Sequence, residues 1–156
     1  MSTEINLDEF YNNSVKILTD LIGFRTISGE DTSALINYFV YSLLKLGSTS
    51  FTTFYQDKQR VNLFRNLKVK KTYVSNQIRL SWHTETVPVS KSWSTDPVKA
   101  TIKGDKLYGR GSCDMKGFIA CALAFAPIYA NTDLNRDIHF CFTFDEETAC
   151  IGVPIL

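Results

Sequence analysis

The chain is 156 residues long, 44% hydrophobic and 21% charged, an ordinary composition for one folded domain with its own core, and it excludes a disordered chain. Seventeen basic against sixteen acidic residues leave a formal net charge of +1, so no electrostatic footprint for nucleic acid or an anionic membrane surface is present. The N-terminus lacks a basic region followed by an apolar run, and no window reads as a bilayer span, which leads to the expectation of a cytoplasmic protein with neither nucleic acid nor membrane as partner. Four cysteines, Cys113, Cys121, Cys141 and Cys150, fall in apolar stretches without a C-x-x-C pair and read as buried thiols.

Apolar residues recur at helical spacing through Leu7, Phe10, Ile17, Leu18, Leu21 and Ile22, with Gly23 as the stop. A second helix is predicted from the pairs Leu35/Ile36, Phe39/Val40 and Leu43/Leu44, closed by Gly47. Phe51 to Tyr55 and Val61 to Leu67 read as strands joined by a polar turn over 56–60, and Lys68-Val-Lys-Lys71 as a solvated turn. Gln77 to Trp82 predicts a strand that delivers His83 at its C-terminal end, followed by a loop and a small hairpin at Lys103-Gly-Asp-Lys106. Phe118 to Tyr129 is apolar nearly all round and predicts a buried helix that Pro127 ends or kinks. Asp137 to Phe144 predicts a strand in the middle of a sheet, with His139 as a core histidine. The order α, α, β, β, β, α, β predicts an α/β sandwich in a single domain, residues 1–156.

Chemistry gathers at three places. His83 and Glu85 close one strand, Asp114 lies between a glycine-rich turn and an apolar helix, and Glu146 and Glu147 follow the last strand. These are the ends of an open α/β sheet where ligands collect. Taken singly each signal is weak, because an Asp before a helix is usually an N-cap and a Glu pair after a strand is usually solvated. Together an imidazole and several carboxylates suit zinc or another borderline divalent ion, and one carboxylate can bridge two metals. Adjacent glutamates past a strand end point to different sides, so one can bind metal while the other moves a proton. A glutamate general base beside a metal-bound water is the usual arrangement for metal-assisted amide hydrolysis.

Three phrases carry a resemblance: Leu80-Ser-Trp-His-Thr-Glu-Thr-Val-Pro-Val89, Leu107-Tyr-Gly-Arg-Gly-Ser-Cys-Asp-Met-Lys-Gly117 and Phe142-Thr-Phe-Asp-Glu-Glu-Thr-Ala-Cys-Ile-Gly-Val-Pro154. They resemble the dinuclear zinc peptidase and deacylase family, which includes acetylornithine deacetylase, succinyl-diaminopimelate desuccinylase, aminoacylase and several carboxypeptidases. Ser28-Gly-Glu30 and Asn62-Leu63 also fall where that family has similar residues, and the last two phrases look most like the acetylornithine deacetylase branch of arginine biosynthesis. The resemblance implies a mixed sheet sandwiched between helices and a metal-dependent hydrolase that cleaves the amide of a small N-acyl amino acid. It implies that His83 binds one zinc, Asp114 bridges two and Glu147 binds the other, with one or two ions held and cobalt able to substitute. Glu146 would be the general base. Glu85 stands where the family has an aspartate that hydrogen-bonds the metal-binding histidine, and a cis peptide is implied at Asp114-Met115.

Three departures accompany the resemblance. Glu85 replaces aspartate, Trp82 replaces the glycine that usually precedes the histidine, and the family's remaining ligands and dimerisation domain fall beyond Leu156. A partial catalytic domain is therefore expected, in which Thr148 to Leu156 begins a further helix. The alternative is an inactive truncated remnant, or one half of a split enzyme whose second polypeptide carries the missing half.

Overall fold

A computed structural model describes residues 6–55, 59–67 and 77–156; the Lys68–Lys71 turn lies outside them. Helix α1, Leu7–Gly23, starts at Asn6, whose side chain accepts from the Asp8 and Glu9 amides, and carries two acidic residues in its first turn, where the helix dipole favours them. Helix α2, Ser33–Leu44, buries Leu35, Ile36, Phe39 and Leu43, the stripe read from the sequence. Gly47 follows at φ +71°, a torsion that only glycine adopts without cost.

Strands β1 (Thr49–Phe54), β2 (Val61–Leu67), β3 (Ile78–His83) and β6 (Ile138–Thr143) form a sheet in the order β1-β2-β6-β3. β1, β2 and β6 pair antiparallel while β3 runs parallel to β6, so the sheet is mixed, as expected. The short strands β4 (Thr101–Lys103) and β5 (Lys106–Tyr108) make the hairpin anticipated around Gly104. Side-chain alternation gives the sheet two faces. Leu63, Leu67, Trp82, Phe140 and Phe142 share one apolar cluster with residues of α1, α2 and of helix α3, Gly117–Asn131. The opposite face carries Phe51 stacked on Phe64, and with Arg79, Ser81 and Thr143 these line a cavity of about 300 Å³ closed by Val153 and Leu156. Among the described residues, a second helical layer over that face is not found.

Several sequence expectations change on contact with the structure. Pro127 does not end α3, which continues to Asn131. Only Cys141 is buried; Cys113, Cys121 and Cys150 are exposed and unpaired, since each lies on the solvent side of its element. His139 lies on the open face rather than in the core, edge-on to Phe64. Burial and then the Arg79 charge hold its pKa below the ordinary value, with Asp137 opposing. The segment after Glu147 forms turns and a 3-10 turn, Val153–Ile155, instead of a helix, with Ala149 and Cys150 both at positive φ. The run Ser112–Asn131 is long and apolar enough to cross a bilayer, contrary to the sequence reading. Its backbone is broken by non-helical torsions at Asp114 and Met115, and Ile119, Ala120, Leu123 and Ala126 are buried in the core.

Trp82 does not crowd the histidine beside it. Its ring is 1% exposed, stacks on Phe142 with centroids 5.2 Å apart, and meets Phe118 edge-on on the helical side of the sheet. Filling that space with an indole makes Trp82 the largest fully buried side chain of the fold. Trp82→Ala is expected to cost about 3–5 kcal/mol in urea unfolding. Trp82→Phe should cost less, because the buried indole N–H has no hydrogen-bond partner to lose.

Candidate metal centre

The parallel register His83↔Thr143 brings the C-terminal ends of β3 and β6 side by side, so Glu85 and the Asp145–Glu147 segment leave the sheet at the same edge. Thr84 N–H continues the ladder to the Thr143 carbonyl at 2.9 Å. From the other side comes the turn Ser112–Lys116. Gly111 opens it at φ +77°, where an added Cβ would lie 2.6 Å from the Thr86 methyl. The Asp114-Met115 peptide is cis, as the resemblance implies. Lys116 anchors the turn from below: its buried ammonium donates to the Leu21 and Phe24 carbonyls at 2.9 and 2.7 Å, while burial pushes its pKa down to about 8. These two carbonyls close α1, so the turn bearing Asp114 is pinned to a helix end.

Past β6 the chain reverses at Asp145, which is buried at φ +53° in the left-handed region that Asp tolerates better than most residues. Glu146 and Glu147 follow. Ligand atoms of His83, Glu146 and Glu147 lie within 4.8 Å of one another. Asp114, whose side chain is 74% exposed, places Oδ1 3.1 Å from His83 Nε2. His83, Glu146 and Glu147 thus form one cluster, and Asp114 reaches it through His83.

Glu85 lies beneath them, 1% exposed. Its carboxylate accepts from the Thr84 amide at 3.1 Å, from the Glu147 amide at 3.2 Å and from the Glu146 amide at a shorter distance. Burial raises its pKa above the ordinary carboxylate value, against the opposing pull of those amides and of His83. The hydrogen bond implied between its carboxylate and the histidine is made by its main chain instead: His83 Nδ1 is 3.1 Å from the Glu85 carbonyl and 3.6 Å from Oε1. The extra methylene, relative to aspartate, sends the carboxylate past the ring to the 146–147 loop.

The ring geometry tests whether the site suits a metal. A carbonyl only accepts, so Nδ1 carries a proton, while Nε2 faces Asp114 Oδ1, to which it donates when the ring is doubly protonated and beside which it offers a lone pair when it is not. At that distance Nε2 and Oδ1 are also near enough to share one bound ion. One imidazole nitrogen with three surrounding carboxylates matches the ligand preferences of zinc and neighbouring divalent ions, so the donor set fits.

Residues 80–156 match the sequence profile of peptidase family M20/M25/M40, the half of the chain that holds His83, Asp114, Glu146 and Glu147. The chain belongs to that family. It is 34% identical over 141 residues to the acetylornithine deacetylase of Myxococcus xanthus, covering 89% of this chain and 36% of the relative. It is 37% identical over 119 residues to the succinyl-diaminopimelate desuccinylase of Legionella pneumophila, covering 75% of this chain and 30% of that enzyme. The M20 chain thus spans about a third of the length of the curated relatives it matches. An M20 family metallo-carboxypeptidase from Sulfolobus solfataricus superposes with a TM-score of 0.77 at 21% identity, over 90% of this chain and 32% of the other. Human carnosine dipeptidase 1 superposes with a TM-score of 0.75 at 20% identity, over 94% and 35%. Both likenesses describe the fold.

Sequence reading of this M20 chain missed two residues that hold the site together. Asp145 reads in sequence only as the neighbour of the glutamate pair, although an Asp at a strand end before two acidic residues is a turn signal. Arg60 was read as part of a polar turn, and no local pattern marks it, since its partner lies 85 residues away.

Proposed function

We propose that this M20 chain carries the metal-holding part of a zinc-dependent amidohydrolase that removes the acyl group from the amine of a small N-acyl amino acid. The observation behind the reading is that ligand atoms of His83, Glu146 and Glu147 lie within 4.8 Å of one another, with Asp114 Oδ1 3.1 Å from His83 Nε2. The names of the two relatives add the substrate class, since both describe release of an acyl group from an amino acid. His83, Asp114 and Glu147 would hold the ion, one or two per chain. A divalent ion bound there supplies Lewis-acid polarisation of the acyl carbonyl. Glu146, exposed and without a side-chain partner among the described residues, would take a proton from the attacking water and return it to the amine nitrogen as the C–N bond breaks. Glu85 does not touch substrate in this scheme; it fixes the amides of the loop that presents both glutamates.

The test is zinc and cobalt stoichiometry on the purified chain together with hydrolysis of N-acetylornithine and N-succinyl-diaminopimelate, read as amine release. Glu146→Gln is expected to keep the metal and lose about 10²–10⁴-fold in turnover. A second reading is favoured by the share of the relatives that the chain spans, at most 36% in the two comparisons given. In it the chain binds metal and turns over only when a polypeptide matching the relatives' other two thirds is supplied. Metal binding without amine release selects that reading; amine release from the chain alone, lost in Glu146→Gln, rejects it.

A further inference from the structure

We infer that Arg60 and Asp145 are positioning residues for the metal centre: their shielded ion pair sets the direction in which the chain leaves β6 and so aims Glu146 and Glu147 at His83. The inference rests on the metal-site reading above. Three separate segments meet at the Asp145 carboxylate. Oδ1 accepts from the Gly29 amide at 2.8 Å, in the turn between α1 and α2, and Oδ2 receives Arg60 Nη1 at 2.6 Å, from the β1–β2 connection. With one hydrogen bond on each oxygen and a side chain only 2% exposed, Asp145 is tied into the protein, although it is the immediate neighbour of two candidate ligands.

The arginine is held as firmly as its partner. Its guanidinium lies 4.1 Å above the Tyr55 ring centroid and 6.0 Å from that of Phe144, and the Tyr55 amide donates to the Arg60 carbonyl at 2.9 Å, which closes the hairpin beneath the pair. The side chains are 17% and 2% exposed, so water and salt screen the pair little. A stacked guanidinium is a fixed plane, and a lysine cannot reproduce both the stacking and the contact to Oδ2.

The consequence for the site follows from the backbone. Asp145 holds φ +53°, and this left-handed turn is what carries the next two amides, those of Glu146 and Glu147, onto the same Glu85 oxygen. The loop then closes on itself, with the Ile151 amide donating to the Asp145 carbonyl and the Cys150 amide to the Glu146 carbonyl, both at 3.1 Å. A chain end fixed by Asp145 on one side and by Glu85 on the other leaves the two glutamates few directions. Arg60 also offsets charge, since Asp145, Glu146, Glu147 and Glu85 crowd four carboxylates into one loop and the residue beneath it. Without the arginine, repulsion and the unpaired Asp145 would open the loop outward.

The experiment is a cobalt titration of the full chain, followed by the visible absorption of the bound ion and by thermal unfolding, for the wild type, Arg60→Met, Arg60→Lys, Asp145→Asn and His83→Ala. Leu43→Ala serves as a destabilised control, because Leu43 is buried on α2 and belongs to the core rather than the site. The expected result is cobalt binding by the wild type and its loss in His83→Ala. Arg60→Met and Asp145→Asn should then weaken cobalt by about 10–100-fold, the usual effect of removing a group that orients ligands, and shift the absorption bands. Arg60→Lys should recover part of the affinity, and Leu43→Ala should lower the unfolding temperature with the bands unmoved. Wild-type affinity and bands in folded Arg60→Met and Asp145→Asn would overturn the inference, leaving the pair a purely structural tie. If Arg60→Met does not fold, the near-isosteric Asp145→Asn and the charge-retaining Arg60→Lys decide by the same readout. Equal cobalt binding by the wild type and His83→Ala, or none by either, overturns the metal-site reading and the inference with it.

Discussion

His83→Ala is expected to abolish tight zinc binding, with a loss of affinity greater than the roughly 10–100-fold that removal of an orienting hydrogen bond causes. The chain contains two histidines, and the other, His139, packs against Phe64 on the open face of the sheet. His83 is therefore the single imidazole the centre can use. Without it the remaining donors, Asp114, Glu146 and Glu147, are all carboxylates, a set better matched to calcium, magnesium or manganese than to zinc. Competition against a chromophoric zinc chelator, run beside a manganese titration, reads both effects. Zinc affinity should collapse while weak manganese binding persists. Zinc held equally well by the variant would place the ion elsewhere, for example on the exposed Cys113 beside Asp114, and would reject this centre.

The extent to which sequence foretold structure differs between the fold and the site, for a physical reason. Helix α2 and strand β6 were legible because burial imposes a period on neighbouring residues, and Leu35, Phe39 and Leu43 or Phe140 and Phe142 display it directly. The nearness of His83 to Glu146 and Glu147 was legible only as phrases in order; the parallel register of β3 and β6 is what brings these residues together. What supports those residues left no local trace. The Glu85 carboxylate bonds amides 61 and 62 residues away, and Arg60 meets Asp145 across 85, so neither pairing has a spacing to detect. The cysteines misled because an apolar neighbourhood in sequence does not fix the side of a helix: Cys121 lies on α3 between the buried Ala120 and Ala122 and still faces solvent. The terminal segment misled for a related reason. Asn62 donates to the Gly152 carbonyl at 2.7 Å and accepts from the Phe144 amide at 3.1 Å, and the Gly152 amide returns to the Phe144 carbonyl, so tertiary bonds hold in turns a stretch that reads as a helix start.

Glu85 supplies the second large effect, because its buried carboxylate holds three backbone amides. Glu85→Ala would strand three amides, those of Thr84, Glu146 and Glu147, at about 1–3 kcal/mol for each one left buried without a partner. A total loss of about 3–5 kcal/mol in urea unfolding is expected, together with metal affinity weaker by about 10–100-fold as the glutamate loop loosens. Glu85→Gln should be far milder. Burial already raises the pKa of this carboxyl, so much of what the charge gains from the amides goes to offsetting desolvation, and the amide oxygen of glutamine can still accept from the 146–147 loop. Its NH2 group would face the Thr84 N–H, and the loss of that one bond sets the expected cost at about 1–2 kcal/mol. Glu85→Asp is the decisive comparison. It restores the residue expected from the family but draws the carboxylate back by one methylene, away from the Glu146 and Glu147 amides and toward the histidine. If the longer side chain is used as the geometry indicates, Asp falls between Gln and Ala in stability and weakens metal binding relative to Glu. An aspartate variant more stable than the parent, with tighter metal, would mean that the loop is held by Asp145 and Arg60 alone and that the extra methylene is only tolerated.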